Sequence, residues 1–325
     1  MIRSTTRRSL VAAGATLGLA MPALAQNTGT FPSRPMRIVC PAQGGSFTDI
    51  LDRLVADRLR EGLGQPVIVD NKPGANGVIA AGELARAAPD GHTIGHMISS
   101  ALVLATLMVP RLPFRNADFQ PLTVAYRGAT AMGVSPSLPV RNLRELVALS
   151  RERGSISYGT LGRATPSHLL VEMLSAESGA SFENIVYRSE ATAVLDVLAG
   201  TIPVVVGATM NLLEQHRSGE LRIIGISTPE RLPGLPDLPT FREQGFESMV
   251  YTWFHAFLMP AGAPAPVIRK LHEGLADAMR SGPFRAMLTP DLISEVTTPE
   301  ALGDLVRGDV ERLGRLIRDR GITAG

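Results

Sequence analysis

Met36-Arg37-Ile38-Val39-Cys40-Pro41-Ala42-Gln43-Gly44-Gly45-Ser46-Phe47-Thr48-Asp49-Ile50-Leu51 decides the architecture. It reads as a β-rich run, a glycine turn and the start of a helix. Ile50, Leu51, Leu54, Val55, Leu59 and Leu63 then recur at helical spacing on one side. The same grammar follows immediately. Val67-Ile68-Val69 is a short strand and Asn71-Lys72-Pro73-Gly74 a turn. Residues 76–88 form an Ala-rich helix stopped by Pro89-Asp90-Gly91, and Thr93–Ile98 is a third strand. The order βαβαβ predicts an α/β fold with a parallel sheet and helices packed on it.

The pattern restarts downstream. Strands are expected at residues 132–135 and 156–159 around a helix at 143–151. A helix at 165–178, a strand at 185–187 and a helix at 191–199 follow, then strands at 204–206, 223–226 and 254–259. Helices at 264–281 and 299–320 close the chain, each with proline at its start. Compositional breaks fall near residues 126–133 and in the Pro-rich stretch 229–246. A chain that leaves one domain, builds a second and returns crosses twice, and two crossings make a hinge beneath a cleft. The expected domains are residues 26–128 plus 251–325, and residues 129–250, after a signal peptide at 1–25.

The signal reading rests on Arg3, Arg7 and Arg8, the apolar stretch 10–21 and the cleavage pattern Ala23-Leu24-Ala25. Thr6-Arg7-Arg8-Ser9-Leu10-Val11 also has twin-arginine form. Removing those three arginines turns a formal charge of +2 into −1 on the mature chain. A body so close to neutral lacks the basic face that nucleic-acid binding needs. With 45% hydrophobic and 19% charged residues, the 325-residue chain is globular rather than disordered. The lone Cys40 lies in an apolar run and reads as a buried small hydrophobe.

Catalytic signatures are missing: no nucleophile elbow, no P-loop and no dinucleotide-binding turn. His272-Glu273 begins a zinc-type motif, but Ala276 stands where the second His should be. Ser167 and His168 are adjacent, and neighbours on a helix point about 100° apart, away from each other.

Two loops carry a binding signature. In the first, Gly44 and Gly45 allow close backbone approach, and Ser46 or Thr48 can cap the helix that follows. Free N–H groups at such a helix start favour anions. The second is Gly159-Thr160-Leu161-Gly162-Arg163-Ala164-Thr165-Pro166-Ser167-His168, with Thr165 as N-cap and Pro166 at the first helical position. Facing each other, the loops put two helix starts on one small anion.

At these residues the chain resembles the solute receptors of tripartite tricarboxylate transporters, the Bug or TctC-like proteins. The resemblance runs over about residues 31–321. It is carried by Phe31-Pro32-Ser33-Arg34-Pro35, Gly44-Gly45 with Thr48-Asp49-Ile50, Asn71-Lys72-Pro73-Gly74-Ala75, and Ala88-Pro89-Asp90-Gly91-His92-Thr93. Tyr158-Gly159, Ser167-His168-Leu169, Leu235-Pro236-Asp237-Leu238-Pro239-Thr240 and Pro260-Ala261-Gly262-Ala263-Pro264 continue it. It implies a two-domain periplasmic-binding-protein (Venus-flytrap, type II-like) fold with two crossover strands. It also implies an exported, periplasmic, monomeric receptor, neither enzyme nor cofactor carrier, that gives a small organic carboxylate to the membrane components of a tripartite transporter. Carried over, the ligand contacts are Ala42, Gln43, Gly44, Gly45, Ser46 and Thr48 in the first loop, and Thr160, Gly162, Arg163, Thr165 and Ser167 in the second. Ser99 and Ser100 add a third region, Glu190 and Ala191 a fourth, and Gly207 a fifth.

Several residues depart from the family pattern. Gln43 can both donate and accept a hydrogen bond, so it is a candidate reader of ligand identity. Glu190 stands where a small residue is usual; it either repels a second ligand carboxylate, pairs with a ligand amine, or sits exposed and neutral to binding. Gly207-Ala208 follow a strand after which the family often carries an acid, which weighs against a simple amino-acid ligand. The apolar run Ala101-Leu102-Val103-Leu104 is expected to form a less polar pocket wall. Rival readings are a receptor reporting to a signalling partner and a secreted hydrolase using Ser167 and His168.

Overall fold

The computed structural model describes residues 31–319 and residue 322, so the signal segment expected at 1–25 lies outside the described residues. The first lobe opens with β1 (Met36–Cys40), α1 (Phe47–Leu63), β2 (Val67–Asn71), α2 (Val78–Ala85), β3 (Thr93–Ile98) and α3 (Ala105–Met108). The chain continues through β4 (Phe119–Val134), α4 (Leu143–Arg153), β5 (Ile156–Thr160), α5 (Pro166–Ser178), β6 (Phe182–Val186) and α6 (Glu190–Leu198). After β7 (Val204–Ala208), α7 (Leu213–Ser218) and β8 (Arg222–Ile226) it returns along β9 (Thr252–Pro260). α8 (Ala265–Arg280), α9 (Gly282–Met287), β10 (Leu292–Ile293) and α10 (Pro299–Asp319) complete it.

The strands run in the order β2-β1-β3-β9-β4-β7-β5-β6, with β8 and β10 also paired to β4. β1 lies parallel between β2 and β3, as the βαβαβ reading requires. β5 lies parallel between β6 and β7 in the same way. Each lobe therefore has a switch point, where loops leave neighbouring strands in opposite directions and open a crevice. β4 joins the two: its residues 119–129 pair with β9, and residues 130–134 with β7.

Helices α1 and α5 start where local chemistry dictates. Ser46 Oγ accepts from Asp49 N at 3.3 Å to cap α1, and Gly64 ends it in the left-handed region. Thr165 Oγ1 accepts from His168 N at 3.3 Å to cap α5, with Pro166 in its first turn. One apolar cluster gathers Leu51, Val55 and Leu59 of α1 with Leu271, Leu275 and Met279 of α8. Cys40 is fully buried, as expected of a small hydrophobe.

Three expectations need correction. β4 is a 16-residue strand, not the short piece expected at 132–135. Its register against β9 shifts at 121/123 and again at 124/126, and two bulges erase the alternation by which a strand is recognised. Helix α2 is shorter than expected because residues 75–77 form a 3₁₀ turn, with Asn76 at φ 49°. The run Ala101-Leu102-Val103-Leu104 is helical and at most 1% exposed, so it belongs to the core rather than to a pocket wall.

Candidate functional site

A cavity of about 330 Å³ opens where the C-terminal ends of β1, β3, β5 and β7 converge. That is at the low end for a small-molecule site. Among the expected contacts, Ala42, Ser46, Thr48, Ser99, Ser100, Thr165, Ser167 and Glu190 line it. Gln43, Gly44, Gly45, Thr160, Gly162, Arg163, Ala191 and Gly207 do not.

Most of these absences have a physical reason. The Gly45 N–H donates to Asp49 Oδ2 at 2.8 Å, so it braces the loop instead of facing a ligand. The Thr160 hydroxyl donates to Asn184 Oδ1 at 2.8 Å and accepts from Gly162 N at 3.0 Å, tying the second loop to β6. Arg163 is exposed, and its carbonyl accepts from Asn76 Nδ2 at 3.4 Å, a contact that ties the second loop to the turn at residues 75–77.

Asp49 organises the first loop. Its buried carboxylate accepts from Gly45 N, from Asn71 Nδ2 at 2.9 Å and from Arg53 through two N–H groups at 2.9 and 3.0 Å. Burial alone would raise its pKa, but donation by Arg53, Gly45 and Asn71 outweighs that and holds it down to about 2. Asn71 also donates to the Ala42 carbonyl at 3.0 Å, so the same side chains position a cavity-lining residue.

Glu190 and Gly207 prove to be one arrangement. The Glu190 carboxylate, at the start of α6, accepts from Ala208 N at 3.1 and 3.2 Å and from Asn211 Nδ2 at 2.5 Å. A side chain at 207 would meet it, since a Cβ there would lie 2.9 Å from Glu190 Cδ. Glycine at 207 thus makes the room that glutamate at 190 fills. Burial pushes the Glu190 carboxyl above the ordinary range, against the opposing pull of Asn211 and Ala208.

The floor is built from Tyr126 of β4 with Trp253 and His255 of β9, which sequence reasoning missed. Tyr126 pairs with His255 in register and Gly128 with Trp253. Tyr126 and His255 stack with ring centroids 4.6 Å apart, and Trp253 meets both edge-on. The available signal was Trp253-Phe254-His255, where Trp253 and His255 stand two residues apart and so share a strand face. Asn76 and Asn211 also line the cavity, and no sequence signal marked them.

Among the described residues no Lys or Arg lines the cavity, and Glu190 is its sole carboxylate. Any anion is then met by neutral donors: hydroxyls and the N–H groups opening α1 and α5, which lack partners within their helices. His168 does not serve Ser167. Its Nε2 faces Glu172 at 3.6 Å, its Nδ1 has no partner, and burial lowers its pKa. A nucleophile needs its base within hydrogen-bond reach.

The sequence pattern of the tripartite tricarboxylate transporter family receptors matches residues 51–322. The chain belongs to that family. The receptor is 35% identical over 285 residues to a UPF0065 protein of Bordetella bronchiseptica, covering 86% of this chain and 84% of that one. It superposes on the periplasmic binding protein BugD with TM-score 0.77 at 29% identity, over 90% of this chain and 99% of the other. It likewise matches the R. palustris protein Rpa4515, solved with adipate, with TM-score 0.79 at 26% identity, over 90% and 99%. The expected two-domain periplasmic-binding-protein fold therefore holds, and so does the Bug/TctC-like assignment.

Proposed function

We propose that this receptor is exported to the periplasm by its N-terminal segment, as a monomer without catalysis or cofactor. There it closes on one small monocarboxylate and delivers it to the membrane components of a tripartite transporter. Residues 26–128 with 251–325, and residues 129–250, act as the two closing domains. The ligand carboxylate rests on Ser46, Thr48, Ser99 and Ser100 of the first lobe, and on Thr165 and Ser167 of the second. Gln43, Gly44, Gly45, Thr160, Gly162, Arg163 and Ala191 support these loops from outside the cavity. Gly207 yields space to Glu190.

The observation that carries this reading is the meeting of two capped helix starts on one cavity with a single carboxylate in its lining. Helix starts favour one negative group, whereas Glu190 opposes a second. Rpa4515 holds adipate, a dicarboxylate; this receptor is expected to prefer a chain of that length with a hydroxyl or amine at one end.

Melting of the mature protein, refolded to strip carried-over ligand, tests this against hexanoate, 6-hydroxyhexanoate, 6-aminohexanoate and adipate. Stabilisation by none of a wide carboxylate panel would sink the receptor reading. Glu190→Gln keeps an acceptor for Ala208 N–H and Asn211 but removes the charge. It is expected to raise adipate affinity about tenfold, equal to about 1.4 kcal/mol. Unchanged adipate affinity would place Glu190 outside recognition. Trp253 is the chain's single tryptophan and lines the cavity, so ligand entry should shift its emission; a silent spectrum with a ligand that raises the melting point would move the site elsewhere.

A further inference from the structure

A chain of titratable side chains runs from the core of the first lobe to the cavity floor. Asp52 of α1 is fully buried, and its Oδ1 lies 2.5 Å from His96 Nδ1 on β3. His96 Nε2 lies 2.9 Å from His255 Nδ1. Tyr126 OH lies 2.9 Å from that same Nδ1 and 3.4 Å from Thr48 Oγ1. Both near neighbours of His255 thus converge on one ring nitrogen. The ring itself lines the cavity, and Nε2 is not among the buried atoms that lack a partner.

Charge balance sets the direction of these bonds. Asp52 Oδ2 is buried without a hydrogen-bond partner, so the carboxylate leans on His96 for compensation. The other groups acting on it are the Cys40 thiol of β1, Tyr126 of β4 and Arg53 of its own helix. Burial and then Asp52 raise the Cys40 pKa, which keeps the thiol neutral. Arg53 is already paired with Asp49 and more than half exposed. Burial pushes the Tyr126 phenol well up, so it is a neutral O–H donor. What remains is His96, whose Nδ1 meets Asp52 Oδ1 and whose Nε2 meets His255 Nδ1, the nitrogen that the Tyr126 O–H also reaches. His96 Nε2–H then donates to His255 Nδ1. Burial, and then the charge of His96, press the His255 pKa well below its ordinary value, so its one proton sits on Nε2.

We propose that His255 is a ligand-contacting residue that donates its Nε2–H to the ligand carboxylate, in a tautomer set by Asp52 through His96. This rests on the carboxylate reading above and adds a recognition element to it. The donor face of the cavity is then that of Thr48 and His255, and Glu190 is the one carboxylate in the lining. Asp52 and His96 are positioning residues that never touch the ligand. A neutral donor held by a buried pair gives this face a fixed sense: it accepts carboxylate or carbonyl oxygen and refuses an ammonium.

Nitrogen-15 histidine spectra of the mature protein test this, because protonated and bare ring nitrogens differ widely in shift. The expected result is His255 with Nε2 protonated and Nδ1 bare, assigned by its loss in His255→Gln. Asp52→Asn removes the charge that makes His96 a donor at Nε2, so His255 should move its proton to Nδ1. Should that variant fail to fold, His96→Gln serves instead: its amide can still donate to His255 Nδ1 and should preserve the Nε2–H form. Titration with acetate, with chloride as control, should move the His255 Nε2 signal saturably. Replacement by Phe should weaken acetate about tenfold or more, and Gln, which keeps a donor there, should retain it within a few-fold.

A wild-type His255 protonated at Nδ1 overturns the proposal, as does an Asp52→Asn protein in which the tautomer is unchanged. Acetate that moves the Phe47 and Thr48 amides but not His255 removes His255 from the ligand while sparing the receptor reading. Acetate that moves neither, together with a carboxylate panel that stabilises nothing, overturns both.

Discussion

An Asp49→Ala protein is expected to lose about 3 kcal/mol or more of stability and to bind no ligand. The carboxylate is 1% exposed and accepts four hydrogen bonds, from Gly45 N, Asn71 Nδ2 and two Arg53 nitrogens. Removing one partner of a buried, charged network leaves the others unsatisfied, which costs about 3–5 kcal/mol. Arg53 can turn to solvent, which places the expectation at the lower end. Gly45 and Asn71 both hold the loop that carries Ala42 and Ser46, which loses those ties. Urea unfolding at neutral pH reads the effect, and a wild-type midpoint would show that the network is dispensable.

The pH dependence follows from the same carboxylate. Its folded pKa of about 2 lies below the ordinary 3.8. The contribution is therefore fully present above about pH 4 and is lost as pH falls through about 2. Asp49→Ala should remove that part of the acid limb. Glu190 acts in the opposite sense. Its raised folded pKa favours the protonated form, so its contribution is present below the ordinary glutamate value and is lost as pH rises through the folded one.

Gly128→Ala is expected to cost about 2–3 kcal/mol and to dismantle the cavity floor. A Cβ at 128 would sit 2.2 Å from Trp253 Cζ2 and 2.4 Å from Cη2. The indole is wedged edge-on against Tyr126 and His255, so it cannot simply tilt away. Forcing even one methyl into packed surroundings costs about 1–3 kcal/mol, and here the displaced group is a cavity wall. Emission from Trp253 should change in the unliganded protein, and carboxylate stabilisation should vanish. A variant with wild-type emission and melting point would mean that the indole does not lie over Gly128.

What could be read locally was read well. The caps Ser46 and Thr165, Pro166 and the βαβαβ order involve residues within a turn or two of each other, and the structure keeps each of them. The resemblance located both loops, yet half of the residues inferred as contacts do not line the cavity. A loop's sequence names its turn and its cap, but not which side of the backbone meets the cavity. Only the end of β4 was expected as strand, at 132–135, because bulges break the period upstream, and Tyr126 of the floor was missed with that upstream part.

By itself, then, the sequence determined the α/β architecture, the two capped helix starts and the near-neutral charge. Tertiary structure decided the floor and the setting of Glu190. Tyr126 meets His255 across 129 residues of chain, and Asp52 meets His96 across 44. Glu190 and Gly207 read as two unrelated departures until the fold set the carboxylate of one in the space left open by the other. Hydrophobic period and capping chemistry are written between near neighbours along the chain. Which distant side chains share a cavity is settled by strand pairing and by the bulges within it, which leave almost no local trace.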